Sequence, residues 1–315
     1  MPRAVRLNPS RHRPAGAKLV TMDASAELIL RQQIFDALAA AVADRASLTR
    51  HELSAFNVGD QTRRLIDQSR GIWNPRDLVA TLSVVSSPDG PYDDSQIDGG
   101  LFRYDYRAGS TAGDNTKLRA ACEYQLPIIL LLKESTGVYV PIFPVYVLRD
   151  DAVNRQFLLA VHESLRFLVE PGHDSLVERR YAERLAKQRL HQARFRGIVL
   201  RAYETRCAVC SLRHGRLLDA AHIIGDREDG GDPIVPNGLS LCKIHHAAFD
   251  GNFLGVSPDY KIGINRDLLT EIDGPMLKHG LQEMHGRLLV LPVRKREWPD
   301  KERLATRWQA FGEAG

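Results

Sequence analysis

Two short pairs of ligand-type residues constrain this chain more than any other feature. Cys207 and Cys210 form C-x2-C, and Cys242 and His245 form C-x2-H some thirty residues on. A C-x2-C turn lets two thiolates reach one ion, and a second pair can close a tetrahedral Cys3His site around zinc. A closed structural zinc contributes an apparent folding energy of roughly 10–16 kcal/mol. That would hold together a small hairpin and helix with little core of their own. Three cysteines crowd into one 36-residue window, which argues for metal ligation over disulfides. Cys122 stands apart and reads as a buried structural thiol.

At 315 residues the chain is long enough for two ordinary domains. Hydrophobic residues make up 43% and charged residues 26%, the balance of a globular protein. No apolar run reaches transmembrane length, and the basic start lacks an apolar core, so no membrane partner, no signal peptide and a cytoplasmic location are expected. Residues 1–22 read as a disordered basic arm. The net charge of +4 permits polyanion binding without requiring it.

The pattern then divides the chain. Residues 25–44 carry helical spacing, and Ser47–Phe56 reads as a short helix capped by Ser47 or Thr49. Between 81 and 148 the texture turns to short β-branched and aromatic runs, interrupted by a helix at Asn115–Tyr124. Residues 156–169 add another apolar segment. From Ser175 the sequence becomes helical and basic, as one or two linker helices, with Arg and Lys between Arg179 and Arg201 forming either a solvated face or a DNA-backbone contact. The expected organisation is an α+β protein: an N-terminal β-rich domain over 23–172, a basic helical linker over 173–200, and a metal-bearing domain with a C-terminal extension over 201–315.

Beside the four zinc-type ligands stand His222, Asn237 and His246. The ordered set C-x2-C, AHI, NGL-x-LC and HH-x-x-FD resembles the HNH nuclease family, over roughly residues 195–265. The resemblance implies a ββα-metal fold and assigns roles by position. His222 would be the general base that activates water, Asn237 would order the motif loop and orient that base, and His246 would hold a catalytic Mg2+ or Mn2+. His245 falls where many members carry the second cysteine of a zinc pair. Many members also place a metal-binding Asp directly before the first histidine, where this chain has Ala221. Asp219, two residues earlier on a strand, projects to the same side. Asp250 is the rival ligand, four residues after His246 on the same helix face. A neutral imidazole can accept a proton near pH 7, and a divalent ion can stabilise the leaving oxygen, which is what phosphodiester hydrolysis needs.

In the first half, Tyr92, Asp93, Asp94, Asp98, Gly99, Tyr104, Gly109, Asp114, Asn115 and Leu118 occur in the order of the SRA (YDG) domain, which this region resembles. The loop after Tyr104 is longer than the family's, and Ser95 stands where the pattern has an aspartate. The resemblance implies a PUA-like barrel that flips a modified cytosine out of duplex DNA. Tyr92 and Tyr104 would stack on the base, Asp94 would read its edge, and Trp73 would act as a lid. The competing reading is a barrel whose tyrosines pack a core and whose acidic pair is a turn. The expected function is modification-dependent restriction of double-stranded DNA carrying 5-methyl- or 5-hydroxymethylcytosine, by a homodimer. Two alternatives stand beside it: a conventional HNH restriction or homing-like enzyme, and a zinc-stabilised DNA-binding protein that does not cut.

Overall fold

Asp23 opens the first helix, α1 (Ala24–Arg45), by accepting from the backbone N–H groups of Ser25 and Ala26, both at 2.9 Å. Leu30, Ile34, Phe35 and Leu38 form its buried face, and Ala46 ends it in the left-handed region at φ 62°. The helix also buries an ion pair, Glu27 with Arg31. Arg31 donates further to the carbonyls of Ala80, Thr81 and Pro127, and Glu27 accepts from the N–H groups of Val79 and Ala80. Buried charges are tolerated when their hydrogen-bonding positions are used, and this pair ties α1 to the chain ahead of two central strands. The computed structural model describes residues 22–87, 101–106, 113–165 and 176–313. Nearly all of the basic arm lies outside them.

Strand β1 (Leu48–Thr49) leads into α2 (Arg50–Ser54). Of the two candidate caps it is Thr49 that forms a reciprocal capping box with Glu52. A small hairpin follows, β2 (Phe56–Val58) with β3 (Gln61–Arg63). The main sheet uses β4 (Ile72–Trp73), β5 (Ser83–Ser86), β6 (Leu101–Asp105), β7 (Ile128–Ser135), β8 (Val138–Asp151) and β9 (Gln156–Ala160), with helix α3 (Asp114–Glu123) between β6 and β7. Its order is β4-β5-β7-β8-β9-β6, with β1 added beside β8. Among the described residues only β5 and β7 run parallel. The long β8 pairs with β7 over its first part and with β9 over its last, with register shifts in both ladders.

Both faces of the sheet are buried. Along β7, Ile128 and Leu130 enter a core shared with α3, while Ile129 and Leu131 enter the core under α1, as period-two alternation requires. Among the described residues the strand path is open, from β4 to β6. The sheet curls until these two ends approach each other: the Tyr104 hydroxyl on β6 donates to the Gly71 carbonyl beside β4 at 3.2 Å. The β-rich domain is thus a curled mixed sheet with helices on both faces.

Helix α4 (Leu176–Ala202) belongs to two cores. Ala186 and Leu190 pack under the sheet, while Phe195, Val199 and Leu200 join a second core built by the C-terminal residues. The Arg196 guanidinium donates to the carbonyls of Val42 and Ala43 at the end of α1, and to those of Gly215 and Leu218. Gly215 is required there, since a Cβ would sit 1.5 Å from the Asp44 carbonyl oxygen. Beyond it come β10 (Leu218–His222), β11 (Gly238–Cys242) and α5 (Lys243–Asp250), a β-hairpin followed by a helix. A second hairpin, β12 (Leu254–Val256) with β13 (Ile262–Ile264), precedes α6 (Arg266–Thr270), α7 (Pro275–Gly280) and α8 (Lys301–Glu313). The extension braces the hairpin–helix unit: Trp308 and Phe311 lie on the bare faces of Gly263 and Gly255, and Arg307 donates to the Phe249 carbonyl at 2.6 Å.

Candidate nuclease site and zinc centre

The β10–β11 register pairs Leu218 with Cys242 and His222 with Gly238. One end of the hairpin therefore carries the cysteine, and the other carries His222 beside Asn237. Asn237 is fully buried. Its carbonyl oxygen accepts from Ile224 N–H at 2.9 Å, and its amide donates to the carbonyls of Ile224 at 2.9 Å and Asp232 at 3.1 Å. One side chain thus closes the loop between the two strands by replacing backbone pairing that the loop lacks. Asn237→Ala leaves those buried groups unpaired, and an expected loss of about 2–3 kcal/mol follows. Urea denaturation of the purified protein measures it, and an unchanged midpoint would contradict it.

Helix α5 starts directly after Cys242, so neighbouring side chains on its first turns diverge. His245 points inward and is 2% exposed, while the next residue, His246, points outward. The His245 Nδ1 atom lies 3.0 Å from Cys242 Sγ and 3.5 Å from Cys207 Sγ, and Cys210 Sγ lies 4.0 Å from Cys242 Sγ. All four ligand atoms fall within 4.8 Å of one another. A tetrahedral ion with Zn–S bonds of roughly 2.3 Å needs ligand separations of about 3.8 Å, so the set fits zinc. His245 Nε2 lies 2.7 Å from the Gly280 carbonyl. A proton there donates to that carbonyl and leaves Nδ1 free as the ligand, the outer-shell arrangement common to metal-binding histidines. Hydrogen bonds from Cys207 and Cys210, together with His245, hold the Cys242 thiol far below its ordinary range against the opposing effect of burial.

A second cluster lies across α5. The Asp219 carboxylate is 3.5 Å from His246 Nδ1, and the Asp250 carboxylate is 3.3 Å from His246 Nε2. Each rival carboxylate thus stands at a different nitrogen of one imidazole. Asp219 also pairs with Lys243. Burial pushes the Asp219 carboxyl up, but Lys243 and His246 outweigh it and hold it below the usual carboxylate range. An ion at either nitrogen would meet the imidazole and one hard carboxylate oxygen, a donor pair compatible with Mg2+ or Mn2+. His222 lines a cleft of about 310 Å³ together with His191, Gln192 and residues of the Asp226–Pro233 loop. Burial depresses its pKa, and the charges of Asp226, His246 and Asp250 also act on it. Its imidazole is therefore neutral at pH 7, the form that can take a proton.

The reader residues are distributed differently. Tyr104 is buried in the sheet core, 5% exposed. Trp73 is partly buried; its Nε1 donates to the Arg64 carbonyl at 2.8 Å, with the Arg64 guanidinium 5.7 Å from the ring centre. Tyr92 and Asp94 lie outside the described residues. Sequence reasoning missed the Gly280 carbonyl, 35 residues beyond the histidine it touches, and no local pattern marks it. It also missed Lys243, whose place on the first turn of α5 opposite Asp219 follows only from the strand register.

Residues 207–256 match the HNH endonuclease family model. No curated protein matches the chain. Among solved structures, it is similar to "Modification dependent TagI restriction endonuclease" at 15% identity and a TM-score of 0.29, covering 83% of this chain and 90% of that one. It is also similar to "Structure of the Type IV phosphorothioation-dependent restriction endonuclease ScoMcrA", at 15% identity and a TM-score of 0.20, covering 70% of this chain and 51% of that one. Hairpin, helix, thiol cluster and family match together define a metal-dependent DNA endonuclease. More narrowly, the chain carries an HNH endonuclease domain at 207–256. No described helix is long and apolar enough to cross a membrane.

Proposed function

We propose that the chain is a modification-dependent restriction endonuclease, in which the curled sheet reads a modified cytosine and the HNH site cuts nearby. The observation that carries the catalytic part is the division of labour on α5. His245 faces a thiol cluster and His246 faces two carboxylates. Cys207, Cys210, Cys242 and His245 would hold zinc and fix the hairpin against the helix. His246, with Asp219 or Asp250, would hold a divalent ion, which when bound stabilises charge on the phosphate and leaving oxygen. His222, neutral at pH 7, takes a proton from the attacking water. Asn237 fixes the loop through Ile224 and Asp232, and so fixes the chain on either side of His222.

Support for the reading of a modified base is the order of residues from Tyr92 to Leu118, together with the curl that joins Tyr104 to Gly71, two positions before Trp73. By the resemblance, Tyr92 and Tyr104 would stack on the flipped base, Asp94 would read its edge and Trp73 would act as a lid. A double-strand break calls for two copies of the chain, since one HNH site cuts one strand at a time. The test is cleavage of one plasmid in unmodified, 5-methylcytosine and 5-hydroxymethylcytosine forms, with Mg2+ or Mn2+. Cutting confined to a modified form is expected. Equal cutting of all three would sink the modified-base reading and leave a conventional nuclease, a result that the burial of Tyr104 would then explain.

A further inference from the structure

Helix α4 enters the catalytic site as well as joining the two halves of the chain. The ring of Phe195 lies face to face with the imidazole of His222, with centroids 3.8 Å apart and planes inclined by 17°. Phe195 is itself 2% exposed, so packing fixes its position. The close approach depends on the other strand of the hairpin. Gly238 is the strand partner of His222, and a Cβ there would fall 2.9 Å from Phe195 Cζ and 2.4 Å from Val199 Cγ2. Arg196, the next residue along α4, grips the carbonyls of Gly215 and Leu218 on either side of the entry to β10. His191, one helical turn before Phe195, lines the same cleft as His222.

The hydrogen bonding of His222 gives this stack its importance. A catalytic imidazole is ordinarily oriented by a carboxylate or carbonyl on one nitrogen. His222 Nε2 is buried and has no hydrogen-bond partner among the described residues. No such bond at Nε2 sets the ring plane, and the Phe195 ring is the contact laid against its face.

We propose that Phe195 is a positioning residue for the nuclease reaction: its ring face sets the plane of the His222 imidazole, and α4 thereby completes the catalytic site. The proposal rests on the reading of His222 as the general base. A flat aromatic face permits only the parallel setting of its neighbour at this separation. It also presents its negative π-face to the positive charge that builds on the imidazole as it takes the proton. An aliphatic side chain of similar bulk fills the space but imposes no plane.

Full-length, zinc-loaded protein would be compared with Phe195→Leu, Phe195→Tyr and His222→Ala, on the plasmid form cut best by the parent. Phe195→Leu should lower kcat by about 10–100-fold, the scale on which misplacing a catalytic group acts. Its KM for DNA and its zinc content should stay at parent values. Phe195→Tyr, which keeps the ring, should stay within about threefold of the parent, since the plane that orients the base survives. An independent readout is the side-chain NMR signal of His222, assigned by its loss in His222→Ala. Ring current from Phe195 should shift it upfield in the parent and in Phe195→Tyr, but not in Phe195→Leu. Parent-like kcat in Phe195→Leu, an equal fall in both Phe195 variants, or an unshifted His222 signal in the parent would each overturn the proposal. Undiminished cleavage by His222→Ala would instead overturn the underlying reading of the base.

Discussion

Cys242→Ser is expected to release zinc and unfold the hairpin–helix unit of the nuclease domain. Cys242 is at once the last residue of β11 and the residue from which α5 starts. Its sulfur lies 3.0 Å from His245 Nδ1, and its backbone N–H donates to Cys207 Sγ at 3.3 Å. Strand end, helix start and ligand set thus converge on one residue. The apparent energy of a structural zinc site, roughly 10–16 kcal/mol, is as large as the whole stability of an ordinary domain, about 5–15 kcal/mol. A serine hydroxyl does not replace the thiolate, so the loss should be close to complete. Elemental analysis should find about one zinc per chain in the parent and none in the variant, and circular dichroism should record lost helix. Strong chelation of the parent should have the same effect. A variant that keeps both its zinc and its melting temperature would refute a Cys3His centre.

His222→Ala should lower the cleavage rate by about 100- to 10,000-fold, the usual contribution of a positioned general base. Binding to the same DNA should stay nearly unchanged, because His222 sits within the cleft and carries no charge at pH 7. The fold should also survive, since Asn237 holds the loop without its help. Single-turnover cleavage and a gel-shift titration on one DNA separate the two effects. Parallel loss of binding and cutting would assign His222 to DNA contact and leave the base unidentified.

The nuclease motif and the thiol cluster were legible in the sequence because their residues are compressed into short spacings. Two residues between ligand-type side chains mark a turn, and neighbouring histidines on one helix diverge, one to the thiols and the other to two carboxylates. The replacement of Asp by Ala221 left the metal ligand open between Asp219 and Asp250, and the structure brings both carboxylates to His246. Hidden from sequence were the contacts that depend on distant chain segments meeting. Phe195, read as part of the apolar face of a linker helix, precedes His222 by 27 positions, and the Gly280 carbonyl comes from a region with no motif. In the first half, β-branched and aromatic runs identified β7 and β8 but not the curl, because a sheet buried on both faces gives no polar side to orient it. Tyr104 illustrates the cost: an aromatic residue placed on a strand does not say whether its ring meets a ligand or fills a core.

The Gly280 carbonyl also bears on what counts as the nuclease. A segment cut at the limits of the family match, 207–256, would retain every motif residue. It would lose the carbonyl on His245 Nε2, the ring over His222, and the Arg307 contact to the end of α5. The motif is therefore smaller than the machine it names. Insertions or fusions that spare the motif but separate 280 from 245, or 195 from 222, would be silent to motif searches and still disable the enzyme.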